Sequence, residues 1–324
     1  MAELIYRPAE LDDAALAADL MTGAYPALAQ DPVLTRYRWE QPRREYSYGR
    51  FIAEQNGRPI AYVAWVHGPW EKLPERHCEV EVWLDHKLLD RELLKTLWSW
   101  VADQAEAEGS GLLLAYAAED EREMLEVLAA LGYERDRVEK VWELDLNTHG
   151  TRLVTQARDA RERMASAGIR FETVTESRDP AVLKKLHALT NATIQDVPHT
   201  LPILDETYVD FERRMLSPDH PRDRFWIACD GDRPVALSYL KFPPVRGTVW
   251  TGYTCAHAEY RGRGIARAVK LQSLAQAVEL GVPLVCTDND AENAPMLHIN
   301  EMLGYRRRPG FVGHLKRVDK KNDG

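Results

Sequence analysis

The sequence is short of the features that mark secreted, metal-bound and membrane proteins. Its 324 residues include only four cysteines, which lie far apart and form no Cys-x-x-Cys pair. This spacing excludes a disulfide framework and a zinc ribbon, so we expect reduced cysteines and no metal site. The longest apolar run, Leu112 to Ala118, is far below the ~20 residues that a membrane-spanning helix needs, so we expect no membrane partner.

Positive charge is also scarce. The chain has 42 Lys and Arg residues against 51 Asp and Glu residues, a formal net charge of -9. A nucleic-acid-binding protein usually has the opposite excess, so we expect no nucleic-acid partner. The first residues include Arg7, Glu10 and Asp12 instead of an apolar segment, so the sequence predicts no signal peptide and a cytoplasmic location.

An internal repeat divides the chain into two halves of similar plan. Residues 51–61 have the pattern of two strands around a turn at Gly57, and residues 226–236 repeat that pattern around Gly231. Later, Leu131-Gly132-Tyr133 is matched by Leu303-Gly304-Tyr305, each after a helical stretch, where glycine suits the end of a helix. The order and spacing of both matches agree, which predicts two copies of one fold.

We predict domains at residues 1–150 and 169–324. Each is expected to be of the α/β (α+β) class, with a mixed, mostly antiparallel sheet flanked by helices. Asn147 to Gly150 has a composition typical of a turn, and residues 151–168 are predicted to form an exposed linker helix. In the second half, Asp205 is a candidate cap for a helix at 205–216. Predicted strands there lie near 169–175, 224–230, 234–242, 247–256, 284–287 and 305–317, and further helices near 180–194, 264–280 and 292–303.

The segment from Thr254 to Arg267 contains most of the chemical information. A predicted strand leads into a turn with Gly262 and Gly264, and a helix begins immediately afterwards. Glycine permits positive φ, so backbone N–H groups can converge there, and the free N–H groups of the first helical turn add partial positive charge. The pattern predicts a site for a phosphate-bearing ligand. Four basic residues surround the turn in sequence: Arg261, Arg263, Arg267 and Lys270.

Three motifs resemble those of the GNAT (GCN5-related) N-acetyltransferases. Arg261 to Ala266 resembles the Arg/Gln-x-x-Gly-x-Gly/Ala pyrophosphate loop of that superfamily. The preceding residues His257 to Gly262 match its Val/His-Pro-Glu-Tyr-Arg-Gly pattern, with Ala258 in place of proline. Asn293 through Tyr305 resembles its Asn…Leu-Gly-Phe/Tyr helix. With its similar first half, the whole chain resembles the tandem two-domain members.

The resemblance implies acetyl-CoA as the cofactor. Backbone groups of Thr254, Cys255 and Ala256 would pair with its pantetheine arm like an added strand, and N–H groups of the same strand would stabilise the oxyanion. Asn293 would contact the cofactor near its thioester, although it is also a candidate helix cap, and Asn289 is either a turn residue or part of the site. The predicted cofactor-binding residues are Thr254, Cys255, Ala256, Arg261, Gly262, Arg263, Gly264, Ile265, Ala266, Arg267, Asn289 and Asn293.

The catalytic residues are less well defined. Many family members have a tyrosine seven residues after the asparagine, which protonates the departing thiolate, but this chain has Asn300 there. A thiol has a pKa of about 8.5 and leaves readily, so activity is not excluded, and Tyr305, Tyr253 or water are alternative acids. Asp288, directly after a predicted strand, is the first candidate for the base that deprotonates the amine, and Glu259 is the second.

The first half lacks the phosphate loop. It has no glycine between Gly68 and Gly109, where the loop would fall, and Asp90 and Glu92 would repel phosphate. We predict that it binds no cofactor and instead braces the second half and walls the acceptor pocket.

The leading hypothesis is an acetyl-CoA-dependent N-acetyltransferase in which the amine of a small molecule attacks the thioester directly. Two alternatives remain open. One is a non-catalytic CoA-binding or regulatory protein, and the other is an acetyltransferase for proteins or peptides.

Overall fold

The computed structural model describes residues 3–318. Residues 319–324 of the predicted second domain lie outside this range. The strands are β1 (Leu4–Pro8), β2 (Ser47–Gln55), β3 (Arg58–His67), β4 (His77–Leu84), β5 (Leu112–Ala118), β6 (Glu134–Asp145), β7 (Ile169–Thr173), β8 (Phe225–Asp230), β9 (Arg233–Lys241), β10 (Val249–Ala256), β11 (Leu284–Asp290) and β12 (Arg306–Arg317). The helices are α1 (Ala14–Ala24), α2 (Pro32–Glu40), α3 (Arg91–Ala107), α4 (Arg122–Ala130), α5 (Leu146–Ser166), α6 (Val182–Ile194), α7 (Tyr208–Met215), α8 (Ile265–Glu279) and α9 (Ala294–Leu303).

All of these strands join one mixed sheet. Their order is β1-β2-β3-β4-β5-β12-β6-β11-β10-β9-β8-β7. The two halves exchange their last strands, because β6 of the first half pairs with β11, and β12 of the second half pairs with β5. Two predicted sheets are therefore one continuous sheet. The sequence pattern has no signal for this, since a strand alternates in the same way whichever chain segment lies beside it.

The strand pattern separates a core face from a second face, which is the one that matters for the site. In β4, Cys78, Val80 and Val82 are buried in a core with α3, while Glu79 and Glu81 point to the other side of the sheet. The repeat is confirmed, since both predicted hairpins form, as β2–β3 and β8–β9. Both predicted helix-ending glycines have positive φ, 82° at Gly132 and 95° at Gly304.

The connection between the halves differs from the prediction. The turn expected at residues 147–150 is wrong, because the Asp145 side chain accepts from the N–H groups of Asn147 and Thr148 and starts α5 there. The expectation of an exposed helix is also wrong, because α5 buries one face against α8. Gly150 allows the close approach: a Cβ there would lie 3.0 Å from Cγ1 of Val278. The charged residues occupy only the outer face.

Two smaller findings complete the fold. The predicted cap Asp205 is wrong, since α7 begins later and Thr207 caps it by accepting from the Asp210 N–H. Within residues 3–318, no helix has the length and apolarity needed to cross a bilayer.

Asp31 fastens the first half to the second. Its buried carboxylate accepts from the N–H groups of Val33 and Leu34 at the start of α2, at 2.8 and 3.1 Å. It also accepts from the N–H groups of Val245 and Arg246 in the β9–β10 loop, at 2.6 and 2.9 Å. Burial alone would raise the pKa of Asp31, but the four donors together hold it below its ordinary value.

We expect Asp31→Ala to lower the free energy of unfolding by about 3 kcal/mol or more, because it leaves four backbone donors without their charged acceptor. The matched control is Asp145→Ala, which also removes an N-cap but from an exposed position within one half. Urea unfolding would measure both. The difference in the free energy of unfolding between the wild-type protein and Asp31→Ala should be present at neutral pH. It should shrink as the pH falls through the lowered pKa of Asp31. Equal losses in the two variants would contradict this role.

Candidate functional site

The site begins where β10 and β11 separate. Within residues 3–318, β10 and β11 pair with each other only at Val249 with Val285 and at Trp250 with Cys286, in parallel, whereas β10 stays paired with β9 as far as Ala256. The rest of β10 therefore has one open edge, which we call the slot edge. The space between this edge and β11 is called the slot.

Backbone groups alternate along a strand, which decides which of them face the slot edge. The His257 N–H donates to the carbonyl of Val235 at the β9 side, so the groups of Thr254 and Ala256 face the slot edge. Arg261 Nε donates to the Ala256 carbonyl at 3.2 Å, in agreement with this direction. The backbone N–H and C=O groups of Cys255 face β9 instead, so they point away from the edge where the predicted pairing with the cofactor would take place.

The predicted phosphate loop has the expected backbone geometry. Gly262 and Gly264 have φ of 75° and 77°, a region that side chains with a Cβ rarely adopt. Gly264 is the N-cap of α8 and provides no capping side chain. The N–H groups of Ile265, Ala266 and Arg267 thus begin the helix without a side-chain acceptor, while the Ile265 side chain is buried and fixes the helix to the core.

The four basic residues near the loop do not act alike. Arg261 pairs with Asp196, and Arg263 lies over the Tyr260 ring, 5.0 Å from its centroid. The Nε of Arg267 is buried and has no hydrogen-bond partner among residues 3–318. Lys270 does not reach the loop: it is completely buried in the core, and burial lowers its pKa to about 7. The prediction that it adds charge to the loop is wrong.

Three asparagines of the predicted site lie on β11 and at α9. Asn293 caps α9, which was the alternative role for it, since its side chain accepts from the Met296 N–H at 3.4 Å, and its contact with the cofactor stays a prediction. Asn300 is fully buried, accepts from Lys270 Nζ at 2.8 Å and donates to Asn289 Oδ1 at 2.7 Å. Two residues that the sequence predicted separately, Asn289 and Asn300, are therefore in contact.

Asp288 points the opposite way, into a cleft between the two halves. It lines a cavity of about 390 Å³ together with Lys241, Trp250 and Glu139. A second cavity, of about 540 Å³, shares Lys241 and Glu139 and extends to Glu79 of β4. The cleft is thus walled by both halves. A third cavity, of about 400 Å³, also reaches Lys241 and is lined by Trp39, Tyr48 and Trp65 of the first half, while Tyr46 lines the second cavity.

The carboxylates of the cleft hold protons more tightly than usual. The Asp288 side chain is open to the cavity but surrounded by protein on its other sides, and this burial raises its pKa. Burial, with the nearby charges of Asp288 and Asp290, raises the pKa of Glu139 to about 7. Burial, with Glu81 and Glu139, raises the pKa of Glu79 to about 8. Glu139 and Glu79 therefore exchange protons near neutral pH.

The remaining catalytic candidates are placed differently. Glu259 lies at the surface outside the cleft, where Arg233 pairs with it at 3.0 Å, a position that does not fit the base it was predicted to be. Tyr305 is buried against Lys270, and its hydroxyl has no partner in the described part of the chain. Tyr253 lines the cleft and its hydroxyl donates to Thr193 at 3.2 Å. Burial raises the pKa of both phenols.

Sequence reasoning missed Glu79, Glu139 and Lys241. Polar residues at alternate positions of β4 were a signal that its second face is not core. Their joint position in one cleft depends on the strand exchange, which the sequence does not predict.

Residues 187–305 match the model of the acetyltransferase (GNAT) family. The fold is similar to a tandem GNAT protein from the clavulanic acid biosynthesis pathway, with 18% identity and a TM-score of 0.75 over 97% of this chain and 98% of that chain. It is also similar to a GCN5-related N-acetyltransferase from Sphaerobacter thermophilus, with 17% identity and a TM-score of 0.69 over 97% and 95%. No curated protein matches the sequence. The predicted tandem fold is confirmed, and residues 187–305 match the predicted family.

Proposed function

We propose that the protein transfers the acetyl group of acetyl-CoA to the amine of a small molecule, because residues 187–305 match the acetyltransferase (GNAT) family and the fold is similar to that of a tandem GNAT protein. The observation that carries this proposal is the meeting of the slot edge of β10 with the uncapped N-terminus of α8 at Gly264. Hydrogen-bonding groups for a peptide-like arm and for a diphosphate lie at the two ends of one loop.

The residues present fit this cofactor. The free N–H groups of residues 265–267, at the start of α8, would bind the diphosphate. The backbone groups of Thr254 and Ala256 are placed to pair with the pantetheine arm. When bound, acetyl-CoA supplies an acetyl group activated as a thioester.

Asp288 is proposed as the general base. It lies on β11, the strand that separates from β10, and lines the cleft, and burial raises its pKa, which makes its carboxylate a stronger base than an exposed one. The amine loses its proton to Asp288, directly or through one water. Slot-edge N–H groups would stabilise the oxyanion. Asn300 has both ends of its amide bonded and cannot deliver a proton, so Tyr253 or water is the proposed acid.

The cleft favours a small-molecule acceptor over a protein. Its cavities of about 390 and 540 Å³ are walled by the first half as well as the second, whereas a peptide would need an open groove. A cationic amine would also relieve the mutual repulsion of Asp288, Glu139 and Glu79.

The first half is proposed to bind no cofactor. In the internal repeat, α3 of the first half corresponds to α8 of the second half. The side chain of Asp90 caps α3 and accepts from the Leu93 N–H at 2.9 Å. A carboxylate therefore stands where a phosphate would have to bind.

The test is CoA release from acetyl-CoA with a panel of small amines and peptides, read by a thiol reagent. We expect release with at least one small amine. Binding of acetyl-CoA without release for any acceptor would favour the non-catalytic alternative, and release with peptides alone would favour a protein acetyltransferase.

A further inference from the structure

Lys270 is an unusual residue for the centre of a core. It lies on α8 with none of its surface exposed, and its ammonium donates to an amide oxygen, Asn300 Oδ1, at 2.8 Å. The Tyr305 ring lies 4.9 Å from the same nitrogen, a cation–π contact that helps to carry the charge. An apolar side chain would fill this position at much lower cost, so the lysine needs another explanation.

The lysine fixes the direction of a chain of hydrogen bonds. In its protonated state Lys270 donates and cannot accept, so the oxygen of Asn300 faces it, as the hydrogen bond from Nζ to Oδ1 shows. The Asn300 amide nitrogen then faces Asn289 and donates to its Oδ1 at 2.7 Å. The oxygen of Asn289 is occupied by this hydrogen bond. Its own amide nitrogen is therefore left to donate to a group outside this series of hydrogen bonds.

The end of this chain lies at the slot. Asn289 is on the part of β11 that has left β10, with Asp288 before it pointing into the cleft. Successive side chains of a strand point to opposite faces, so Asn289 points to the face that carries α9, where Asn300 meets it. Asn289 is partly exposed.

We propose that Lys270 and Asn300 are positioning residues that hold the Asn289 amide with its N–H directed into the slot, where it donates to a carbonyl oxygen of acetyl-CoA. This inference rests on the proposed function. A positive charge buried away from the reacting atoms thereby selects a donor, instead of an acceptor, at the cofactor.

The deciding variant is Asn300→Asp. A carboxylate pairs better with Lys270 than an amide does, so the fold should be kept, but it cannot donate to Asn289 and the direction of the chain is lost. We expect the dissociation constant of acetyl-CoA in a calorimetric titration, and its KM, to rise about tenfold. The KM of the amine should stay within about twofold.

Gln272→Glu is a matched control on the same helix. Gln272 is also buried, accepts from Arg161 at 2.8 Å and donates through its amide nitrogen to the Ala157 carbonyl, but it does not reach the slot. The same change of amide to carboxylate beside a cation should leave acetyl-CoA affinity within about twofold.

Asn289→Ala completes the experiment. If Asn300 acts through Asn289, the double variant Asn300→Asp/Asn289→Ala should bind acetyl-CoA no more weakly than Asn289→Ala alone. Unchanged affinity in Asn300→Asp, or losses that multiply in the double variant, would overturn the positioning role while leaving the proposed function intact. Absence of binding by the wild-type protein would overturn both.

Discussion

Replacement of Asp288 by Asn is expected to lower kcat/KM for the amine by about 10²–10⁴ at neutral pH, the usual contribution of a general base. The acetyl-CoA affinity should be retained, because the Asp288 side chain faces the cleft and not the loop at Gly264. The base must be deprotonated to act, and burial raises its pKa. Wild-type kcat/KM should therefore rise with pH through that raised pKa, and this rise should be absent in Asp288→Asn.

Glu139→Gln is the matched control for Asp288. Glu139 lies on the same face of the sheet, since its neighbour on that face, Val141, pairs with Asp288. It shares the cavity, and its pKa is raised as well, to about 7. We expect Glu139→Gln to act mainly on the KM of a cationic amine and to change kcat by less than about tenfold. A larger loss of kcat in Glu139→Gln than in Asp288→Asn would assign the base to Glu139.

Replacement of Gly264 by Val is expected to weaken acetyl-CoA binding by about 100-fold or more. Valine strongly disfavours the φ of 77° at this position, so the loop must rearrange and the N–H groups of the first turn of α8 no longer converge. Losing two hydrogen bonds to a charged phosphate, at about 1.5 kcal/mol each, corresponds to that factor. Isothermal titration of the purified variant measures it.

Gly281→Val separates this effect from simple loss of stability. Gly281 follows the opposite end of the same helix, with φ of 74°, and a Cβ at either glycine meets no atom within 4 Å. Both variants carry the same backbone strain, so their melting temperatures should fall by similar amounts. Only Gly264→Val should lose the cofactor, and an equal loss of affinity in both would show that the loop has no specific role.

The parts of the site that the sequence predicts are those set by local backbone chemistry. The turn at Gly262 and Gly264 is one example, because a positive φ and a helix start are properties of a few consecutive residues. Asn293 as the cap of α9 is another. The hairpins of the internal repeat form for the same reason.

The parts that the sequence does not predict depend on distant segments. The face of α5 is buried because α8 lies against Gly150, and nothing within residues 146–166 indicates that neighbour. Lys270 has the sequence position of a loop cation, but its side chain points into the core because the Asn300 amide is there to receive it. The cleft around Asp288 forms only because β6 and β12 change places between the halves.

The central claim is that the slot edge of β10 and the N-terminus of α8 together bind acetyl-CoA through its diphosphate. The most direct measurement compares acetyl-CoA with S-acetyl-pantetheine, which lacks the diphosphate, in calorimetric titrations of the wild-type protein. We predict a dissociation constant in the micromolar range for acetyl-CoA and binding at least about 100-fold weaker for S-acetyl-pantetheine. No heat of binding with about 100 μM acetyl-CoA, or equal affinity for the two compounds, would contradict the claim.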